Sequence, residues 1–149
     1  MNASAAKARD PRVQRIVEVF ERLQPADVER LGEIYAADAR FKDPFNEVQG
    51  VPAIQQVFRH MFATLIGPRF VIRDAVCDGE QCFLSWDFLF HMRRFRGDEQ
   101  CIRGGTHLRL AADGRIVEHR DYWDAAEELY EKLPLLGGLM RWLRRRANG

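Results

Sequence analysis

The chain has 149 residues, of which 46% are hydrophobic and 30% charged, with 23 Lys and Arg against 22 Asp and Glu. This is the make-up of one ordinary globular domain, and a net charge of +1 lacks the basic field that a nucleic-acid partner requires. No apolar run approaches the ~20 residues of a membrane span, and the stretch up to Arg12 has no leader-like apolar core, so a cytoplasmic protein is expected.

Residues 1–11 show no periodicity and read as a loose arm; 12–133 form the expected domain and 134–149 a basic amphipathic tail. From Arg12, Val13, Ile16, Val17, Phe20 and Leu23 recur at helical spacing until Pro25 interrupts. Asp27 is positioned to cap a second short helix carrying Leu31, Ile34 and Tyr35. The stretch 40–44 is extended. Pro52 sits where a third helix starts, and Ile54, Val57, Phe58, Met61, Phe62 and Leu65 form its apolar face until Gly67 and Pro68 end it.

The period then changes to two. Phe70, Ile72 and Val76 lead to Asp78-Gly79, 83–92 is rich in aromatic residues, and Gly97-Asp98 and Asp113-Gly114 mark two further turns before 116–123 runs back. Long strands joined by short turns predict a meandering antiparallel sheet. The segment 125–133 is expected to be helical; Pro134 and Gly137-Gly138 break it before a last basic turn or two. Helices first and sheet after give an α+β domain, and long twisted strands tend to curve over the helices and leave a pocket at the open end.

Strand 83–92 has two faces, Trp86, Phe88 and Phe90 against Ser85, Asp87, Leu89 and His91, and a one-residue slip exchanges them. Cys77, Cys82 and Cys101 read as buried thiols in a reducing compartment. Gly104-Gly105, inside a strand, suggests a bulge or bend. The histidines His60, His91, His107 and His119 lack metal-ligand spacing, and no phosphate-binding glycine loop is present, so neither metal nor cofactor is expected.

The stretch YAADARFKDPFNEVQG (35–50) resembles the region of the catalytic base in ketosteroid isomerases, and GTHLRLAADGRIVEHRDYWD (105–124) resembles the last two strands of the same superfamily. From Arg12 to about Leu129 the chain is similar to an NTF2-like, SnoaL-like domain. The resemblance implies a cone-shaped α+β fold, with N-terminal helices packed on a curved antiparallel sheet, a C-terminal helix, and a homodimer. It places Asp43 on the isomerase general base. The two oxyanion donors of that chemistry, a tyrosine and a protonated aspartate, fall at Val19 and Thr106, so steroid isomerase activity itself is not expected.

The resemblance sets Trp123 inward, and strand alternation then turns Asp121 and His119 the same way, with Tyr122, Arg120 and Glu118 outward. A carboxylate at 121 resembles the acid/base aspartate of SnoaL-type polyketide cyclases. The expected catalytic set is therefore Asp43, Asp121 and His119, with Phe45, Phe62, Trp123, Thr106 and Leu108 as contacts of a small apolar ligand. Plainer readings stay open beside these. Asp43 before Pro44 can simply bond backbone N–H groups in a turn, Asp121 can pair with Arg103, and His119 can be a satisfied core histidine. Arg103 between two carboxylates would resemble the limonene-type epoxide hydrolases. The tail, with Trp142 and Leu143 among Arg141, Arg144, Arg145 and Arg146, is expected to fold back over the cavity mouth or a dimer seam rather than onto a membrane. Two classes of function remain: a metal-free isomerase or cyclase, and a non-catalytic binding or dimerisation module.

Overall fold

Asp10 starts the first helix by accepting the Arg12 N–H on its side chain at 2.9 Å, and Pro11 supplies a preset φ at the first helical position. The helix, α1, runs Pro11–Arg22 and buries Val13, Ile16, Val17 and Phe20. The computed structural model describes residues 9–93, 97–128 and 136–147, the side chains of 136–141 excepted. Residues 1–8 of the expected arm and 129–133 of the expected helix lie outside this set.

A 3-10 helix, Pro25–Glu33, follows. Asp27 is not its cap: Gln24 is, and the Asp27 carboxylate reaches back to the Gln24 N–H at 2.8 Å, closing a capping box. Tyr35 is not helical either, because it opens strand β1 (Tyr35–Lys42), which turns through the short β2 (Glu47–Gln49) into α2 (Val51–Thr64). Pro52 stands in the first turn of α2, and Ile54 and Phe58 are its buried residues. The helix ends at Thr64, earlier than Gly67-Pro68 suggests. Those two residues instead lie inside β3 (Leu65–Asp78), where its pairing with β4 shifts between Ile66 and Arg69; a proline without an N–H belongs at such a bulge.

Strands β3, β4 (Gln81–Met92), β5 (Gln100–Leu110) and β6 (Ile116–Tyr122) form the expected antiparallel meander. The six-stranded order is β2-β1-β6-β5-β4-β3, and β1 joins β6 in parallel, a pairing that the turn pattern does not reveal. The sheet is curved and does not close. A second shift in β3, between Ile72 and Asp74, adds to the bend. Short helices α3 (Ala125–Glu128) and α4 (Leu136–Ala147) follow β6; Gly137 and Gly138 lie within α4 rather than before it. Among the described residues no helix is long and apolar enough to cross a membrane.

Strand β4 turns its aromatic set inward: Leu84, Trp86 and Phe90 are buried, while Ser85, Asp87, Leu89 and His91 lie on the other face. Burying a large apolar side chain contributes about 1.5–3 kcal/mol, which decides between the two registers. The outward face carries an Arg73–Asp87 ion pair and, nearer the Asp78 turn, the exposed Phe83. Gly104 makes this packing possible. It pairs with Trp86 across β4–β5, and a Cβ at 104 would stand 2.5 Å from the indole Cη2. The ladder is regular there, so the glycine provides room for a ring and not a bulge.

Cys77 and Cys82 are joined in a disulfide, contrary to the expectation of free thiols. The tight turn after Asp78 sets them directly opposite one another, with Cα atoms 4.2 Å apart. Cys101 is not part of a disulfide. The inference of a reducing compartment thus loses two of its three residues.

Two outcomes follow from this packing. Gly104→Ala is expected to lower stability by about 1–3 kcal/mol in urea unfolding, the indole clash outweighing the usual entropic gain of alanine. Thiol titration of the denatured protein is expected to find one thiol before reduction and three after.

Candidate functional site

The concave face of the sheet, closed on one side by α1 and α2, encloses a cavity of about 340 Å³. Its wall is mostly aromatic, with Phe41, Phe58, Phe70, Trp86, Phe88 and Phe90 among the lining residues. Phe45 and Trp123 meet edge to face at the opening, with ring centroids 5.5 Å apart and Phe45 55% exposed. Asp43, Asp121 and His119 all lie on this lining, as do Phe45, Trp123 and Thr106. Phe62 and Leu108 do not. Phe62 packs beside the core, and Leu108 is fully buried opposite His119 in the β5–β6 ladder.

Alternation on β6 turns His119 and Asp121 inward together while Glu118, Arg120 and Tyr122 stay exposed. Their side chains touch: His119 Nε2 is 2.7 Å from Asp121 Oδ1. On the neighbouring strand, the Thr106 hydroxyl donates to the same oxygen at 2.6 Å and accepts the Trp86 indole N–H at 2.8 Å. The far side of the imidazole meets a residue that sequence reasoning missed. Tyr35, fully buried at the start of β1, holds its hydroxyl 2.7 Å from His119 Nδ1.

These contacts assign the protons. Burial, and then the nearby Asp121 charge, push the Tyr35 phenol well above its ordinary range, so it keeps its hydrogen. His119 Nδ1 is the acceptor for that O–H, which leaves Nδ1 bare and puts the imidazole hydrogen on Nε2. His119 then donates to Asp121. All four donors, from Trp86, Thr106, Tyr35 and His119, run toward Asp121 Oδ1. The other oxygen, Oδ2, has no hydrogen bond to a described residue, and the side chain is 16% exposed.

Asp43 is held differently. Its Oδ1 accepts the backbone N–H groups of Phe45 and Asn46 at 2.8 and 2.6 Å, and the Asn46 side-chain amide lies 3.1 Å from both of its oxygens. That is the turn geometry weighed for an aspartate before proline. Arg103 does not reach Asp121: it lies on the outer face and pairs with Glu128 at 3.1 Å. An Asp-Arg-Asp arrangement through Arg103 is therefore absent. Among the described residues no group of His, Cys, Asp and Glu is arranged to hold a metal ion. None of the described α4 side chains lines the cavity, and Trp142 and Leu143 are exposed.

Solved structures with this fold include a protein of ketosteroid isomerase-like fold from Catenulispora acidiphila DSM 44928, crystallised with trimethylamine. It is 18% identical, with a TM-score of 0.70 over 82% of this chain and 92% of that one. A candidate SnoaL-like polyketide cyclase from Jannaschia sp. CCS1 is 17% identical, with a TM-score of 0.68 over 81% and 93% of the two chains. An epoxide hydrolase of the LEH-like type from M. tuberculosis, also 17% identical, gives 0.64 over 90% and 93%. At these identities the likeness is one of fold. A search of curated proteins finds no match. The model of the SnoaL-like domain matches residues 13–119, from α1 into the strand that carries the histidine, and the chain belongs to the SnoaL-like family.

Proposed function

We propose that the cone binds a small, largely apolar carbonyl compound and that Asp121 moves a proton at the carbon beside the carbonyl, without a metal. One observation carries this reading. Asp121 stands in the wall of an aromatic cavity with one oxygen anchored by two short hydrogen bonds and the other without a hydrogen bond from any described residue. A carboxylate fixed in this way presents a directed acceptor to a bound molecule, the first requirement of a general base. His119 has both ring nitrogens engaged, so it acts on the ligand only through Asp121, as the group that orients it. Asp43, tied into its turn at the opening, has the second place as a base. The fold shared with a candidate polyketide cyclase and an epoxide hydrolase is in keeping with chemistry in this cone.

A second reading, a non-catalytic binding module, also has an observation in its favour. The hydroxyls of Tyr35 and Thr106 and the ring N–H groups of His119 and Trp86 are all directed within the network, so none is left to stabilise a developing oxyanion.

Exchange of α-hydrogens of small aryl ketones in deuterium oxide separates the two. Wild type is expected to speed the exchange over buffer, Asp121→Asn to slow it by about a hundredfold or more, and Asp43→Asn by less than about tenfold. Equal rates for wild type and Asp121→Asn would leave the binding module. The network also carries a pH signature. The Tyr35 phenol is raised in the folded state, so the unfolded chain loses that proton first. Stability should hold up to about pH 10 and then fall by about 1.4 kcal/mol per pH unit as pH rises toward the folded value. Denaturant midpoints on either side of that pH should show the slope in wild type and a shallower one in Tyr35→Phe. That variant should also be about 1–3 kcal/mol less stable at neutral pH, having left Nδ1 buried without a donor.

A further inference from the structure

Where His119, Thr106 and Asp121 line the cavity, the hydrogen-bond donors are all engaged and the free polar capacity is an acceptor. Tyr35 serves His119, Trp86 serves Thr106, and His119 and Thr106 both serve Oδ1 of Asp121, leaving Oδ2. The described lining of the cavity as a whole holds nine Phe and Trp side chains, whose ring faces are electron-rich. It also holds a second carboxylate, Asp43, and no Lys or Arg. His60, the remaining titratable group of the lining, is exposed on α2. The fixed charges and the quadrupoles of the rings thus share one sign.

That pattern discriminates among ligands. A hydrocarbon would cover Oδ2 and leave it without a partner. An anion would face two carboxylates. A positively charged N–H group answers both features, because it donates to the free oxygen while the carbon substituents carrying part of its charge lie on the rings. The cavity, about 340 Å³, is at the small end of ligand pockets.

We propose that this cone also takes a second class of ligand, a small tertiary ammonium with apolar substituents, its N–H donating to Asp121 Oδ2 and its carbon groups packed against the Phe and Trp rings. The proposal rests on the reading of the cone as a ligand site with Asp121 as its polar contact; an ammonium held on Oδ2 occupies the oxygen that would act as base, so it is a bound ligand and not the carbonyl substrate.

Calorimetric titration at neutral pH compares N,N-dimethylbenzylammonium with isobutylbenzene, a neutral molecule of the same shape, and with phenylacetate. The ammonium is expected to bind at least about tenfold more tightly than isobutylbenzene, and phenylacetate more weakly than either. In Asp121→Asn the ammonium preference should vanish while isobutylbenzene binds as in wild type, which also reports an intact cone. Equal or weaker binding of the ammonium, or a preference that survives Asp121→Asn, overturns the proposal. Isobutylbenzene bound without ammonium preference would sink the ammonium class and leave the cone as a ligand site, whereas binding of none of the three would sink both. If Asp121→Asn does not fold, nuclear Overhauser contacts from the N-methyl groups to the Trp86 and Phe88 rings of wild type decide the matter. Their presence supports the proposal and their absence overturns it.

Discussion

The hydrogen bond from Tyr35 to His119 is the constraint from which the site takes its polarity. A buried phenol that keeps its proton needs an acceptor, and Nδ1 of His119, 2.7 Å away, is the one in reach. Once Nδ1 is an acceptor, the imidazole can offer only Nε2–H, and that hydrogen points at Asp121. A contact made at the start of β1, 84 residues earlier in the chain, thereby sets the direction of a hydrogen bond between two neighbours on β6. The parallel pairing of β1 with β6, in which Phe41 stands beside His119, is what brings them together.

A second support reaches Asp121 along the same face, from the strands that flank β6 on the side away from β1. Gly104 leaves room for the Trp86 indole, whose N–H binds Thr106, whose hydroxyl binds Asp121. Each member of this row belongs to β4, β5 or β6, and adjacent strands in register hand the contact from one to the next. Buried polar groups linked in this way hold a single geometry, since loss of one member leaves its neighbour desolvated and unpaired. The aromatic wall and the polar end are therefore one construction: the same indole that lines the cavity with its ring steadies the carboxylate through its nitrogen.

Much of this was legible in the residues. The switch from helical spacing to alternation at the third helix, and the turns at Asp78-Gly79 and Asp113-Gly114, located the helices and the meander. With Trp123 placed inward by family resemblance, period two along β6 put His119 and Asp121 on its side. The disulfide also had a signal. A two-residue turn after Asp78 obliges Cys77 and Cys82 to face each other, and reading the hairpin register there would have paired them. Phe62 and Leu108 misled because helical or strand spacing tells which side of an element is apolar. It does not tell how far along that side the solid core gives way to open space.

The amino-acid sequence by itself carried the resemblance that names the family and, through periodicity, a local property of a chain, the order of helices and meander; once the resemblance set Trp123 inward, alternation gave the inward turn of the β6 polar pair. The tertiary structure decided the rest: the inward face of β4, the parallel β1–β6 seam, the seat of Trp86 over Gly104, and the partnership of Tyr35 with His119. All four depend on which distant backbones lie side by side, and alternation along a single strand is satisfied equally well by either register until a neighbour and a core choose one.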